Sequence, residues 1–235
     1  MGTNENHEAQ GAPRMSEAER AAALEAVAFV GETLAPFYLQ DPVTGEAGAA
    51  FDAMRTLDAD AAGSEWPFVE ADEAKADLTL MVEGLQPAAA GEPGSHDGAL
   101  VREYRRLFIG PAPKPAPPWG SVYTDRECVV FGASTLELRT WMRLNGIVRT
   151  TDDRTPEDHI GLMLAQLAYL AREKGDIVEE FLKLHLLPWS THFLDQLEAA
   201  AEQPFYRGLA RLTRASLEGV QDVFGIEVTY PRFYR

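Results

Sequence analysis

Two adjacent polar residues, Asp158 and His159, are the pair in this sequence best suited to chemistry. A carboxylate can accept both hydrogen bonds of a guanidinium, and an imidazole offers a ring nitrogen or a stacking face. Neighbours on a helix point about 100° apart, so the two are poorly placed to act as a catalytic base and its orienting partner. We interpret them as a polar rim that binds a cationic group. The alternative, favoured by the local pattern alone, is that Asp158 caps its own helix.

Other reactive residue types are present without the spacing that their chemistry needs. None of the five histidines forms an HExxH motif or an i, i+4 pair, and no phosphate-binding glycine motif or nucleophile elbow occurs. Cys128 is the single cysteine, which excludes an internal disulfide and a CxxC redox pair, and we interpret it as a packing residue. The sequence therefore predicts no metal site, no cofactor and no enzyme activity. A triad assembled from distant residues stays open.

The segment from Glu103 to Trp141 is the one most suited to bind a partner. Its opening helical pattern meets Gly110 and then five prolines between positions 111 and 118, so a helix cannot continue there. Proline lowers the entropy of the loop in advance, and a long aromatic loop in a compact domain is typical of a binding site. The alternative is that the prolines fix a crossover and the aromatic rings fill the core.

Helical periodicity dominates the remaining sequence, and sustained strand alternation is missing except weakly at 128–131 and 226–230. We predict an all-α fold, a single globular domain of about nine to eleven helices. The predicted helices run from Ser16 to Pro36, over 45–58 and 70–86, from Leu100 to Phe108, from Ser134 to Asn145, from Thr155 to Gly175, from Asp176 to Pro188, from Ser190, and from Pro204.

The domain organisation follows from composition. Residues 1–15 lack apolar periodicity and are predicted to be a disordered tail, so that 16–235 forms the helical domain. The glycine-rich stretch Gly91 to Gly98 is a plausible connection between two halves, 16–95 and 96–235. No repeat of fixed period was found, which argues against a solenoid.

Charge and hydropathy limit the kinds of partner and the cellular location that fit this chain. The net charge is -16, and it is concentrated in residues 1–100, where 19 acidic residues face 4 basic ones. Such a field disfavours nucleic acid and anionic membranes and favours a cationic peptide, although solubility alone also explains it. Uninterrupted apolar runs fall short of the ~20 residues of a membrane span, and the amino terminus lacks a signal-peptide pattern, which indicates a cytoplasmic protein.

Six motifs follow one another in the second half of the chain. They are LFIGP at 107–111, PPWGSVYTDRE at 117–127, FGASTLELR at 131–139, PEDHIGLML at 156–164, HLLPWSTHFLDQL at 185–197 and PFYRGLARL at 204–212. In this order they resemble the TorD/DmsD family of maturation chaperones for molybdenum oxidoreductases, and particularly its DmsD branch. The resemblance covers roughly 100–225, whereas the first 95 residues agree only as a helical pattern.

The resemblance implies a cytoplasmic, system-specific chaperone. It would bind the twin-arginine leader of a catalytic subunit, of the dimethyl sulfoxide reductase type, and assist folding and cofactor insertion before Tat export. It further implies contacts with the Tat translocase and with molybdenum-cofactor insertion proteins. Through these partners the protein would lie at the inner face of the cytoplasmic membrane. The resemblance also implies a monomer or a domain-swapped dimer. The leader-binding positions it implies are Leu107, Phe108, Trp119, Tyr123, Gly132, Pro156, Asp158 and His159.

Two other functions stay open at this point. One is a GTP-binding or GTP-hydrolysing switch, proposed for some relatives, and the other is a helical scaffold that recognises the body of the client enzyme. The sequence does not identify the client or its substrate.

Overall fold

The computed structural model describes residues 15–43, 45–86, 96–148 and 155–235. The tail predicted at 1–15, apart from Met15, and most of the glycine-rich connection at 91–98 lie outside these residues. Within them the fold is all-α, as predicted, and the only extended pairing is one bridge between Trp119 and His159. The α-helices are α1 (Glu17–Leu39), α2 (Gly45–Arg55), α3 (Ala59–Glu65), α4 (Ala71–Gly84), α5 (His96–Tyr104), α6 (Gly120–Thr124), α7 (Ala133–Leu144), α8 (Ile160–Glu173), α9 (Val178–Phe181), α10 (Leu187–Ala200) and α11 (Pro204–Phe224).

Two π-helical turns and one 3-10 turn complete the helical content. The π turns, Arg105–Ile109 and Leu182–Leu186, continue α5 and α9 respectively, and the 3-10 turn Gly175–Ile177 precedes α9. A π turn inserts one extra residue into a helix and is frequent at functional sites.

The core is built around the two long helices α1 and α11. Helix α1 packs along α8, and α11 packs along α4 and α10. Apolar side chains from all of these helices form one continuous buried cluster. Because burial of a large apolar side chain contributes about 1.5–3 kcal/mol, this cluster is the main source of stability.

Helix α1 begins as predicted but ends later. Ser16 and Glu19 form the reciprocal capping box that their spacing predicts, with the Ser16 amide donating to the Glu19 carboxylate at 2.8 Å. The prediction that Pro36 ends the helix is wrong, because the helix continues to Leu39. Phe37 and Tyr38 are buried in the core, and their packing outweighs the loss of one backbone hydrogen bond at the proline.

Two breaks predicted near residue 188 are also absent. Pro188 lies in the first turn of α10, where its missing amide hydrogen is not needed, and Ser190 is buried inside that helix instead of opening it. Helix α7 likewise begins at Ala133 after Gly132, and not at a cap formed by Ser134. The Ala133 amide donates to the Asp125 carboxylate at 3.1 Å, which supplies the cap from the preceding loop.

Helix α3 was missed by the periodicity analysis. Its sequence, ADAAGSE, carries too few large apolar residues to show a helical face. Asp58 caps it by accepting from the Ala61 amide at 3.0 Å, and the indole nitrogen of Trp66 at its end donates to Ser216 at 3.0 Å. Packing against α4 and the hydrogen bond from Trp66 to α11 therefore hold in place a segment whose own sequence signal is weak.

Helix α1 is also long and apolar enough to cross a membrane by length and composition. Its residues Val27, Val30 and Leu34 are fully buried within the fold. Core helices of soluble proteins and amino-terminal signal sequences meet the same criterion, so this match is weak evidence for a membrane span.

The close approach of α1 and α8 yields a first prediction. A Cβ added at Gly31 would lie 2.5 Å from the backbone oxygen of Leu164, so Gly31→Ala must push the two helices apart. We expect it to lower the free energy of unfolding by about 1–3 kcal/mol. Gly48 of α2 has nothing within 4 Å of the same position, and Gly48→Ala should be neutral or stabilising by up to about 1 kcal/mol. Urea unfolding of both variants tests this, and equal effects would contradict it.

The buried ion pair between α4 and α11 yields a second prediction. Asp77 is fully buried 2.7 Å from Nε of Arg211, and burial raises its pKa to about 6 in spite of that guanidinium. The unfolded chain holds this proton only below its ordinary value of 3.8. Because the folded state binds the proton more tightly, the stability that Asp77 contributes is present at low pH and is lost as pH rises through about 6.

Urea unfolding of wild type and Asp77→Asn between pH 5 and pH 8 measures this effect. Relative to the variant, wild type should lose about 1 kcal/mol or more of unfolding free energy across that range. Parallel pH profiles for the two proteins would contradict the assignment.

Candidate functional site

A short backbone pairing joins the proline-rich loop to the segment before α8. The Gly120 amide donates to the Asp158 carbonyl at 3.1 Å, and the Ile160 amide donates to the Pro118 carbonyl at 2.8 Å. This pairing holds residues 158 and 159 outside the helix. The predicted start of α8 at Thr155 is therefore wrong, because the helix begins at Ile160 with His159 as its N-cap.

Asp158 caps a helix, but not its own as the local pattern suggested. Its Oδ2 accepts from the Ser121 amide at 2.7 Å, in the first turn of α6. The residue is only 3% exposed, and its Oδ1 has no hydrogen-bond partner among the described residues. A buried carboxylate oxygen without a partner is costly, so this atom is a strong candidate to accept from a ligand.

His159 is held by its own helix and by the loop. Its Nδ1 accepts from the Gly161 amide at 3.2 Å, which leaves the proton of the neutral ring on Nε2. Its ring packs edge-on against Trp119, with ring centres 5.9 Å apart. At 6% exposure the imidazole has little contact with solvent and mainly fixes the position of the loop.

A cleft of about 250 Å³ opens beside Asp158. Its walls come from α6 and α7, from the second π turn and α10, and from the carboxy-terminal segment that follows α11. It is therefore bounded by parts of the chain more than a hundred residues apart. The lining residues are Thr124, Ser134, Glu137, Leu138, Asp158, Lys183, Leu184, His185, Pro188, Trp189, Thr229 and Pro231.

His185 lies in this cleft as a neutral ring. Burial lowers its pKa to about 4, and its Nε2 has no hydrogen-bond partner among the described residues. The imidazole faces Trp141, with ring centres 5.2 Å apart. The π turn 182–186 sets the direction of this side chain. His185 therefore provides a hydrogen-bonding group on the wall that this turn and α10 form.

The carboxy-terminal segment 226–235 has no regular secondary structure and packs against the helices. Phe233 stacks flat on His192, with ring centres 4.1 Å apart, and the Tyr234 amide donates to the Tyr123 carbonyl at 3.0 Å. These contacts hold Thr229 and Pro231 in place as one side of the cleft.

The loop between α6 and α7 presents apolar side chains beside the cleft. Val129, Val130 and Phe131 are 38–45% exposed. Cys128 and Phe131 have positive φ angles of 51° and 66°, which non-glycine residues rarely adopt. Such strain is common in binding loops, and here it turns an apolar ring toward the surface.

The eight predicted binding residues fall into three groups. Asp158 lines the cleft, and Trp119 is half-buried next to His159. Leu107, Phe108 and Tyr123 are instead 0–4% exposed, because the core encloses their side chains. Phe108 packs on Tyr38, Tyr104 and Tyr206, and Tyr123 stacks on Trp189. In this conformation none of these three side chains lines the cleft, and their role in binding a leader stays a prediction.

The two remaining predicted residues shape the backbone. Gly132 precedes α7, and a Cβ there would lie 2.7 Å from the Asp125 carboxylate that caps this helix. Pro156 is buried in the turn before α8.

Sequence analysis missed Glu137, Lys183, His185 and Trp189 as lining residues. His185 and Trp189 lie in the HLLPW motif at 185–189, which contributes to the family resemblance but was given no binding role. That motif was the sequence feature that could have identified them.

No group of three potential metal ligands occurs among the residues that the structure describes.

Comparison with known proteins identifies relatives of this chain. A family model described as the nitrate reductase delta subunit matches residues 71–195. A DmsD-type Tat proofreading chaperone of Haemophilus influenzae is 46% identical over 136 residues, which are 58% of this chain and 67% of that protein. The Tat proofreading chaperone DmsD of Salmonella typhimurium is 42% identical over 173 residues, or 72% of this chain and 85% of that one.

A more distant relative and one solved structure extend the comparison. The chaperone protein YcdY of Escherichia coli is 32% identical over 161 residues, covering 62% of this chain and 81% of its own. A crystal structure from Archaeoglobus fulgidus, described as a redox enzyme maturation protein, gives a TM-score of 0.48 at 22% identity over 92% of this chain and 99% of that one. The extent and identity of the DmsD matches place the chain in the TorD/DmsD family of redox-enzyme maturation chaperones.

Proposed function

We propose that the cleft beside Asp158 binds the twin-arginine leader peptide of a redox enzyme. The observation that carries this proposal is the buried Oδ1 of Asp158, which has no partner among the described residues and belongs to a cleft-lining carboxylate. A guanidinium is the group best suited to this oxygen, because it is weakly hydrated and donates in a fixed, planar geometry.

The surroundings of this carboxylate fit a peptide with an apolar stretch after its arginines. Leu138, Leu184 and Trp189 give the cleft apolar walls, and hydroxyl groups of Thr124 and Ser134 lie among them. An amphipathic segment can lay its apolar side on such a surface. The stiff proline loop and its backbone pairing hold the site in shape before binding, which reduces the entropic cost.

Long-range electrostatics supports the same partner. The chain carries a net charge of -16, so a cationic leader would be drawn toward it at low ionic strength. The relatives named above are chaperones, two of them described as Tat proofreading proteins, and none is described as a catalyst. This favours a maturation chaperone over a GTP-hydrolysing switch.

The finer assignments are part of the same proposal. The client is the catalytic subunit of a molybdopterin oxidoreductase of the dimethyl sulfoxide reductase type, since the named relatives include DmsD proteins. Binding takes place in the cytoplasm, where a leader is available before export. Contacts with cofactor-insertion proteins take place before the matured enzyme is released, and contact with the Tat translocase takes place at its release for export.

The direct test is binding of a synthetic leader. Trp189 lines the cleft, and Trp119 and Trp141 contact residues of the site, so tryptophan fluorescence should report binding. We expect micromolar or tighter affinity, about -8 kcal/mol, for a leader with two arginines. A version with two lysines should bind about tenfold more weakly, because an ammonium lacks the planar fork. Absence of binding to the arginine leader at tens of micromolar would overturn the proposal.

The role of Asp158 gives a separate prediction. In Asp158→Asn the side-chain oxygen can still accept from the Ser121 amide, so α6 keeps its cap while the charge is lost. We expect leader affinity to fall about ten- to a hundredfold, as for a hydrogen bond to a charged group. Isothermal titration measures the loss.

A matched variant controls for unspecific charge effects. Asp222 is exposed on α11 and does not line the cleft, so Asp222→Asn should leave affinity unchanged. If Asp158→Asn is folded and binds like wild type, the peptide is recognised elsewhere, as by a scaffold that binds the body of the client.

A further inference from the structure

A second carboxylate, that of Glu137, lines the same cleft as Asp158. Glu137 lies on α7, where Ser134 and Leu138 also face the cleft, as their spacing of three and four residues requires. Its side chain is exposed, and within the described part of the chain it forms no hydrogen bond or ion pair. Glu157, by contrast, is neutralised by Arg139 at 2.6 Å.

The cleft therefore carries an excess of negative charge. Its cationic lining residue is Lys183, which is exposed, and its imidazole, His185, is neutral at pH 7 because its pKa is lowered to about 4. Asp158 and Glu137 together outweigh the single ammonium. A ligand that enters with two positive charges would pair with both carboxylates.

The two carboxylates lie on different walls of the cleft, which suits two consecutive arginines of one peptide. In a helical peptide, consecutive side chains point about 100° apart, and in an extended peptide they point to opposite faces. Asp158 is therefore poorly placed to serve two consecutive arginines, because its Oδ2 already accepts from the Ser121 amide and only Oδ1 is left for a ligand. Asp158 precedes α8 and is buried, whereas Glu137 stands on α7 at the surface, so each can meet a different side chain of one peptide.

We infer that Glu137 is a specificity-determining residue that binds the second cation of an adjacent pair while Asp158 binds the first. This inference rests on the proposed function, since it assigns the second arginine of the leader. The two contacts differ in character. The Asp158 contact is desolvated and strong, whereas the exposed Glu137 contact is weak and is screened by salt.

The test combines protein variants with leader variants. Glu137→Gln keeps the size of the side chain and removes its charge. We expect it to lower the affinity for a two-arginine leader about two- to fivefold at low ionic strength, with a smaller effect at high salt. Glu83→Gln, an exposed glutamate of α4 outside the cleft, is the matched control and should change affinity less than this.

Leaders in which one arginine at a time is replaced by glutamine then assign the pairs. The effect of Glu137→Gln should vanish for one of these leaders and persist for the other, and Asp158→Asn should show the reverse pattern. If Glu137→Gln binds the two-arginine leader like wild type at low salt, or responds equally to both glutamine leaders, the inference is overturned. Failure of wild type itself to bind any leader would instead overturn the proposed function, and this inference with it.

Discussion

The pairing between residues 118–120 and 158–160 is the constraint on which the site depends. Two backbone hydrogen bonds and the contact from the Ser121 amide to Asp158 join a proline-rich loop to the start of α8. Without this connection the carboxylate would be free to join the first turn of its own helix. With it, Asp158 is buried at one edge of a cleft, and the loop gains a fixed position that proline stiffness alone could not supply.

Preorganisation of this kind has a thermodynamic cost. Several buried polar atoms around the cleft have no hydrogen-bond partner among the described residues, and each of them weakens the folded state. The remainder of the protein compensates through the large apolar cluster that α1, α8 and α11 share. Binding sites commonly combine strained backbone and polar groups without hydrogen-bond partners with a rigid core that supports them. The atoms concerned are those of Trp119, Ser121, Tyr123, Thr135, Trp141, Asp158, His185 and Ser190.

The sequence was a good guide wherever a local signal decided the structure. The capping box at Ser16, the start of α11 at Pro204 and the end of α7 near Asn145 follow from residue types a few positions apart. Prediction failed where distant packing took over. Helix α1 passes through Pro36 because Phe37 and Tyr38 are buried, and α8 starts late because of a partner segment some forty residues earlier. Asp158 stands out by residue type, and its role in binding stays a prediction. Periodicity could not show that Phe108 and Tyr123 are enclosed by the core, or that Glu137 and His185 line the same cleft as Asp158.

The π turn at 182–186 makes the lining of the cleft sensitive to the number of residues in this helix. Such a turn accommodates one residue more than an α-helix of the same rise, and it precedes α10 without a break. Loss of a single residue at this point could restore regular helix while rotating Lys183, Leu184 and His185 by about 100° relative to α10. A chain without this extra residue would retain the same helices and yet form one wall of the cleft from different side chains, so under the proposed function a one-residue deletion would change which peptide the cleft fits.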